Sequence, residues 1–398
     1  MPIPPRVDTR SELLTLLSHA CELEHSLACA YLYAAFSLKQ SGSDGLVWHE
    51  VQRIRRWAAQ LYFVASQEML HLAQVWNLLA AIGGVPYFGR AVFPQRPRQY
   101  PLDMPLSLAP FTCSTLETFI AFERPEPLVR ALLGQPSTRD EVPTLDESFR
   151  YATVGQLYDL IRSGFEAIPV RQLFIGDCAS QVDADLAHFP DIVKVYDTAS
   201  ARLAIGRIVE QGEGAPEDRV DCHYGIFRQI RDEWTSLPTF PDPARPALTN
   251  PELEGSPQSP RRLSDLRARR AADLFDDVYG LMLRMLAYTF TNSSADAETR
   301  RLFAHQAIEL MVAVIKPLGE GLTQLPSGTG DRAAGAVFDI GRVVGLPQPA
   351  MIARTLVAEL ASELVQRAEA VTEDCPEIAA LRGAANGLRR VGLALMER

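Results

Sequence analysis

Apolar residues recur at alternating three- and four-residue steps over the first eighty residues, the spacing of one face of a helix. From about Ser11 to Lys39 the stripe runs through Leu13, Leu17, Ala20, Leu27, Tyr31 and Ala35. Ser41-Gly-Ser-Asp-Gly45 reads as a turn, and a second helix follows from about Leu46 to Ile82, with Ile54, Trp57, Leu61, Val64, Val75, Leu78 and Ile82 on its stripe. Gly83-Gly84 ends it. Beyond lies a proline-studded crossover, taken as residues 83–115. Leu116 to Glu123 reads as a short helix stopped by Arg124-Pro125, and Glu147 to Phe165, Asp197 to Glu210 and His223 to Trp234 read as further helices. Leu274 to Tyr288, Glu298 to Ile315 and Pro349 to Ala370 continue the pattern near the C-terminal end. No internal repeat and no alternating strand pattern is visible, so the predicted fold class is all-α. Three regions are expected: a helical bundle over 1–235, a Pro-rich linker over 236–263, and a helical region over 264–398 packing on the bundle.

Two carboxylates interrupt the apolar stripes of the long helices. Glu24 falls on the first stripe, whereas Glu22, two residues away, faces elsewhere. Glu68 and His71 stand three apart on the second stripe, so a carboxylate and an imidazole point the same way and can grip one metal ion. Glu210 is read as a third interruption. A buried ionised carboxylate costs several kcal/mol unless a partner or metal compensates it. The plain alternative is a salt-bridge network with arginines such as Arg202 or Arg207. For a second half-site, Glu210 and His223 are thirteen residues apart, and their pairing needs a helix broken at Gly212-Glu213-Gly214. Glu213, at the regular i+3 place, is a rival ligand. Glu123, just before Arg124-Pro125-Glu126, fits either a ligand or an ordinary helix-terminal acid. His305 and Glu309, four apart, read as a surface pair.

Composition narrows the function classes. The 398 residues are 47% apolar and 22% charged, an ordinary globular balance. A net charge of −10 and no long Lys/Arg run argue against nucleic acid or an anionic membrane as partner. The six cysteines form no Cys-x-x-Cys, so a zinc knuckle or disulfide framework is not indicated and reduced thiols fit better. Met1-Pro-Ile-Pro-Pro-Arg6 lacks a leader pattern, and no uninterrupted apolar run reaches the roughly 18 residues of a membrane span, so the expected location is cytoplasmic.

The stretch from Glu22 to Lys39, then Glu68-Met-Leu-His71 with Leu78 through Gly84 and Pro86, resembles the ferritin-like domain found in the violacein-pathway iminophenyl-pyruvate dimer synthase and in many stand-alone bacterial proteins. Phe119-Ile-Ala-Phe-Glu123-Arg-Pro-Glu126, Thr153-Val-Gly-Gln-Leu-Tyr158, Ile208-Val-Glu210-Gln-Gly-Glu-Gly214 and His223-Tyr-Gly-Ile-Phe227 continue it in order, over roughly residues 10–235. The resemblance implies a ferritin-like four-helix bundle with additional C-terminal helices. It also implies a di-metal carboxylate centre with Glu24, Glu68, His71, Glu123, Glu210 and His223 at matching positions, and Glu213 as substitute or supporting group.

Mixed carboxylate and imidazole ligands suit two iron ions, with manganese as the alternative, better than zinc. The expected arrangement has Glu68 and Glu210 bridging, with Glu24 and His71 completing one ion and Glu123 and His223 the other. The expected activity is a di-iron carboxylate oxidoreductase using O2 or peroxide to oxidise or couple a small amino-acid-derived substrate in specialised metabolism. The competing readings are a di-manganese catalase-like enzyme, an imine-coupling synthase, and a non-catalytic metal-binding or storage bundle. The expected partners are the substrate and O2, with association of identical chains left open.

Overall fold

The computed structural model describes residues 7–90, 92–95, 105–125, 151, 153–187, 189, 191–212, 220–291, 297–340 and 345–396. Among them the chain forms helices joined by loops, with only isolated bridges in place of strands. Helix α1 spans Arg10–Ser37 and starts at a capping box, in which the Thr9 hydroxyl accepts from the Glu12 amide and Glu12 reaches back to Thr9. Helix α2 spans Trp48–Ala81, and Gly83, at φ +83, takes the left-handed conformation that ends it. Helices α3 (Cys113–Phe122), α4 (Val154–Ala167), α5 (Thr198–Gln211) and α6 (His223–Thr235) follow.

Each helix of the set α1, α2, α5 and α4 packs on the next, and α4 closes the ring on α1, which makes the four-helix bundle. Helix α6 lies against both α2 and α3 at one side of it. Buried polar residues of α2 pin the covering loop: Gln74 and Asn77 bond both the amides and the carbonyls of Val182 and Val193. At one end Trp57, Phe111, Trp234 and Phe240 pack together, with the Trp57 indole donating to Glu233 at 2.7 Å.

Helices α7 (Leu266–Thr291), α8 (Ala297–Leu322, with a π-helical turn at Met311–Ile315), α9 (Ala350–Asp374) and α10 (Ala379–Met396) build a second core. Tyr33 and Phe36 of α1 belong to that core, so α1 is shared by both. The Pro-rich stretch 236–263 runs bonded between them: the Lys39 amide donates to Pro243, the Arg245 amide to Ser37 and the Leu248 amide to Ala333. Two differences from the sequence pattern stand out. Helix α7 begins about eight residues earlier than its spacing predicts, and α10 was not predicted at all. By length and composition α8 could cross a membrane, at mean hydropathy 1.3, but half of that window is buried inside the protein.

Candidate metal centre

Glu24 lies mid-way along α1, at 1% exposure, and Glu68 and His71 lie mid-way along α2, at 1% and 2%. The second set of ligand candidates comes from helix ends. Leu116, Phe119 and Ile120 form the buried face of α3, and Glu123, which caps it, continues that face at i+3. His223 is the first residue of α6, whose buried face continues through Ile226, Phe227 and Ile230. Both are fully buried.

These five side chains form a chain of close approaches with Glu68 at its middle. Glu68 Oε2 lies 3.1 Å from His71 Nδ1, and Glu68 Oε1 lies 3.0 Å from His223 Nδ1. Outward from there, His71 Nδ1 is 3.5 Å from Glu24 Oε2, and His223 Nδ1 is 3.4 Å from Glu123 Oε2. The donor atoms fall into two groups, Glu24/Glu68/His71 and Glu68/Glu123/His223, each within 4.8 Å. The two imidazole rings are inclined at 28° to each other, with centroids 5.5 Å apart.

Around this inner set stands a matching outer set. Tyr158 of α4 donates to Glu24 Oε1, and Tyr31 of α1 donates to Glu123 Oε1. His71 Nε2 meets the Gln211 amide oxygen at 3.1 Å, and His223 Nε2 meets that of Gln67 at 3.0 Å. An amide oxygen there accepts only from a protonated Nε2, which leaves Nδ1, the nitrogen facing the carboxylates, free to bind a cation.

Burial and mutual charge act against each other throughout the cluster. Burial raises Glu24, to about 8, and the neighbouring Glu68 charge adds to it. Burial also raises Glu123, against the pull of His223. Burial acts on Glu68 in the same direction, but the two imidazoles outweigh it and hold its carboxyl well below the usual range. Burial alone would depress both histidines; the carboxylates override it, taking His71 to about 10 and His223 to about 9. Even so, Glu24 Oε2, Glu68 Oε1, Glu123 Oε2 and His223 Nδ1 have no partner in hydrogen-bond geometry. The nearest charged atom to each lies 3.0 to 3.5 Å away without hydrogen-bond geometry, and a cation between them would complete these contacts.

The predicted residues thus divide. Glu24, Glu68, His71, Glu123 and His223 come together; Glu210 does not. It is exposed on α5, because the buried stripe of that helix runs Ala201, Ala204, Ile205 and Ile208, and its next step is Gln211. The expected place of Glu210 in the cluster is therefore corrected: it lies outside both groups of donor atoms, and its neighbour Gln211 reaches His71 from that helix. Glu213 lies outside the described residues. Neither arginine named for the alternative reaches the cluster: Arg202 pairs with Glu166 at 2.9 Å and Arg207 with Asp191 at 3.5 Å, both on the surface. Tyr158 and Gln67 were missed as supports, although Gln67 adjoins Glu68 and Tyr158 lies in a quoted block. Tyr31 was read only as core, although it lies seven residues, two turns, beyond Glu24.

The model of the family described as Ferritin-like matches residues 17–232. The chain belongs to that family. A 2-imino-3-(indol-3-yl)propanoate dimerase of Chromobacterium violaceum is 30% identical over 362 residues, and a dichlorochromopyrrolate synthase of Lentzea aerocolonigenes is 29% identical over 405. These alignments cover 83% and 90% of this chain but only 34% and 38% of the two relatives, so the chain spans little more than a third of their length. Both relatives are enzymes by name. A solved ferritin-like protein from Caulobacter vibrioides is 20% identical, with a TM-score of 0.49, covering 75% of this chain and 96% of that one.

Proposed function

We propose that this protein is a non-haem di-iron enzyme that uses O2 or peroxide to oxidise or couple a small aromatic, amino-acid-derived substrate. The observation that carries the reading is Glu68, one buried carboxylate whose two oxygens lie 3.1 and 3.0 Å from the Nδ1 atoms of His71 and His223, each imidazole also facing a second carboxylate. Glu24, Glu68 and His71 would hold one ion, and Glu68, Glu123 and His223 the other. When bound, the pair supplies Lewis acidity and redox capacity at one buried point. The chain's own residues prepare that point. Tyr158 and Tyr31 hold the outer oxygens of Glu24 and Glu123, so that the inner oxygens face the centre. Gln211 and Gln67 fix which imidazole nitrogen carries the proton. Burial of all five side chains keeps bulk water away.

The substrate class comes from the relatives, whose names specify an indolyl imine and a dichlorochromopyrrolate. The dimerase name also favours a second reading, imine coupling that needs no metal. One assay separates the two. Iron-loaded protein supplied with 2-imino-3-(indol-3-yl)propanoate is expected to consume O2 and form product, and exhaustively chelated protein is not. Equal product from chelated protein would favour metal-free coupling, and neither product nor O2 uptake from loaded protein would overturn both.

A further inference from the structure

Helices α1 and α2 each present a second working face. Glu24, Glu68 and His71 turn to the carboxylate–imidazole cluster, while their sequence neighbours His25, Met69 and Leu72 line a cavity of about 90 Å³ between α1, α2, α7 and α8. None of the five cluster residues lines it. The wall is apolar almost throughout and includes Trp76, Phe290, Phe36, Met282 and Leu286.

The polar groups at its edge meet mostly one another, although His25 Nδ1 has no hydrogen-bond partner. His25 Nε2 contacts the Tyr279 hydroxyl, and Cys29 Sγ lies 3.3 Å from the same oxygen. Lys316 stands 4.4 Å over the Tyr62 ring, which engages its charge.

Two features suit this space to a ring. Trp76 and Phe290 meet edge-to-face with centroids 4.8 Å apart, and Met69, Met282 and Met311 offer adaptable sulfur contacts to an aromatic edge. The π-helical turn of α8 begins at Met311 and ends at Ile315, and both residues are in the wall. Such a turn departs from regular helix hydrogen bonding and is frequently found at functional sites. Left empty, an apolar void forfeits dispersion contacts that close-packed interiors otherwise keep. An apolar cavity of about 150 Å³ takes up benzene, so a ring entering this smaller space requires the adaptable methionine side chains of the wall to give way.

We propose that this cavity is a binding site for an uncharged aromatic small molecule, held between the bundle and the C-terminal helices without contact to the carboxylate–imidazole cluster. The proposal goes beyond the di-iron reading and stands without it, because the test is run on chelated protein. Indole is titrated into the full chain by calorimetry, with and without chelator, beside indole-3-acetate. One saturable site per chain is expected, unchanged by chelation, with indole-3-acetate about tenfold or more weaker because a carboxylate would be buried unpaired. Ala73→Phe and Ala304→Phe each fill the cavity from a different helix and are expected to weaken indole by about tenfold or more. No saturable binding by the native chain, or native-like binding by both folded variants, would overturn the proposal. Should both variants fail to fold, native crystals soaked with 5-bromoindole decide it: a bromine peak within the cavity supports the site, and its absence there overturns it.

Discussion

The two halves of the candidate centre use the same side chains on different supports. Glu24, Glu68 and His71 sit in the interiors of helices of 28 and 34 residues, where many turns of backbone hydrogen bonding fix each side chain's direction. Glu123 and His223 sit at the end of a 10-residue helix and the start of a 13-residue one. Short helices gain most of their stability from tertiary packing, and here the packing is aromatic: Tyr31, Phe119 and Phe227 meet with centroids 4.6 to 5.4 Å apart. Tyr31 also donates to Glu123, so the first long helix braces the second half-centre directly. One half is thus set by local regularity and the other by contacts distant in sequence, and the two should fail differently.

Glu68 is common to both, so its replacement removes the comparison altogether. Glu68→Gln is expected to lose both ions, with metal affinity down about 100-fold or more, beyond the 10–100-fold typical of outer supports; retention of one ion per chain in plasma mass spectrometry would mean that Glu68 is not shared. Phe227→Ala should separate the halves. Emptying that buried ring site is expected to cost about 3–5 kcal/mol in denaturant unfolding, and to lower occupancy beside Glu123 and His223 while sparing the ion beside Glu24 and His71.

Acidity gives a finer contrast. In the metal-free chain His71, at about 10, and Glu24, at about 8, both hold protons at pH 7, as does His223, at about 9. Metal must displace these protons, so affinity is expected to rise with pH and to level off as the groups lose their protons unaided, by about tenfold per pH unit for each proton released. Metal titrations from pH 6 to pH 9 check this, and an affinity that does not change with pH at the site beside Glu24 and His71 would contradict it. The smallest effect is expected at Glu210. Glu210→Ala should leave metal content and melting temperature unchanged within error, because its carboxylate is exposed and outside both groups.

The same contrast explains what the sequence revealed. The stripes of α1 and α2 carried Glu24, Glu68 and His71 openly, since long periodic helices announce which face is inward. The difference at Glu210 is one of register: Ala201, Ala204, Ile205 and Ile208 lead to Gln211, and Glu210 falls beside the buried stripe rather than on it. Glu123 and His223 also continue their helices' buried faces, but over two turns such a pattern is weak, and the family resemblance supplied the rest. Helix α10 escaped because glycine at 383, 387 and 392 lowers its propensity; tertiary packing overrides this, and at Gly387 an added Cβ would fall 2.2 Å from the Ala313 carbonyl oxygen. The hydroxyls of Tyr31 and Tyr158 had no legible role, since an aromatic on an apolar stripe looks like core until its partner's position is known.

The most direct test is anomalous diffraction from crystals grown with ferrous iron, with data collected on both sides of the iron absorption edge. The account predicts two iron peaks per chain flanking the Glu68 carboxylate, one beside Glu24 and His71 and the other beside Glu123 and His223. A single peak, or an ion bound without Glu68, would contradict it.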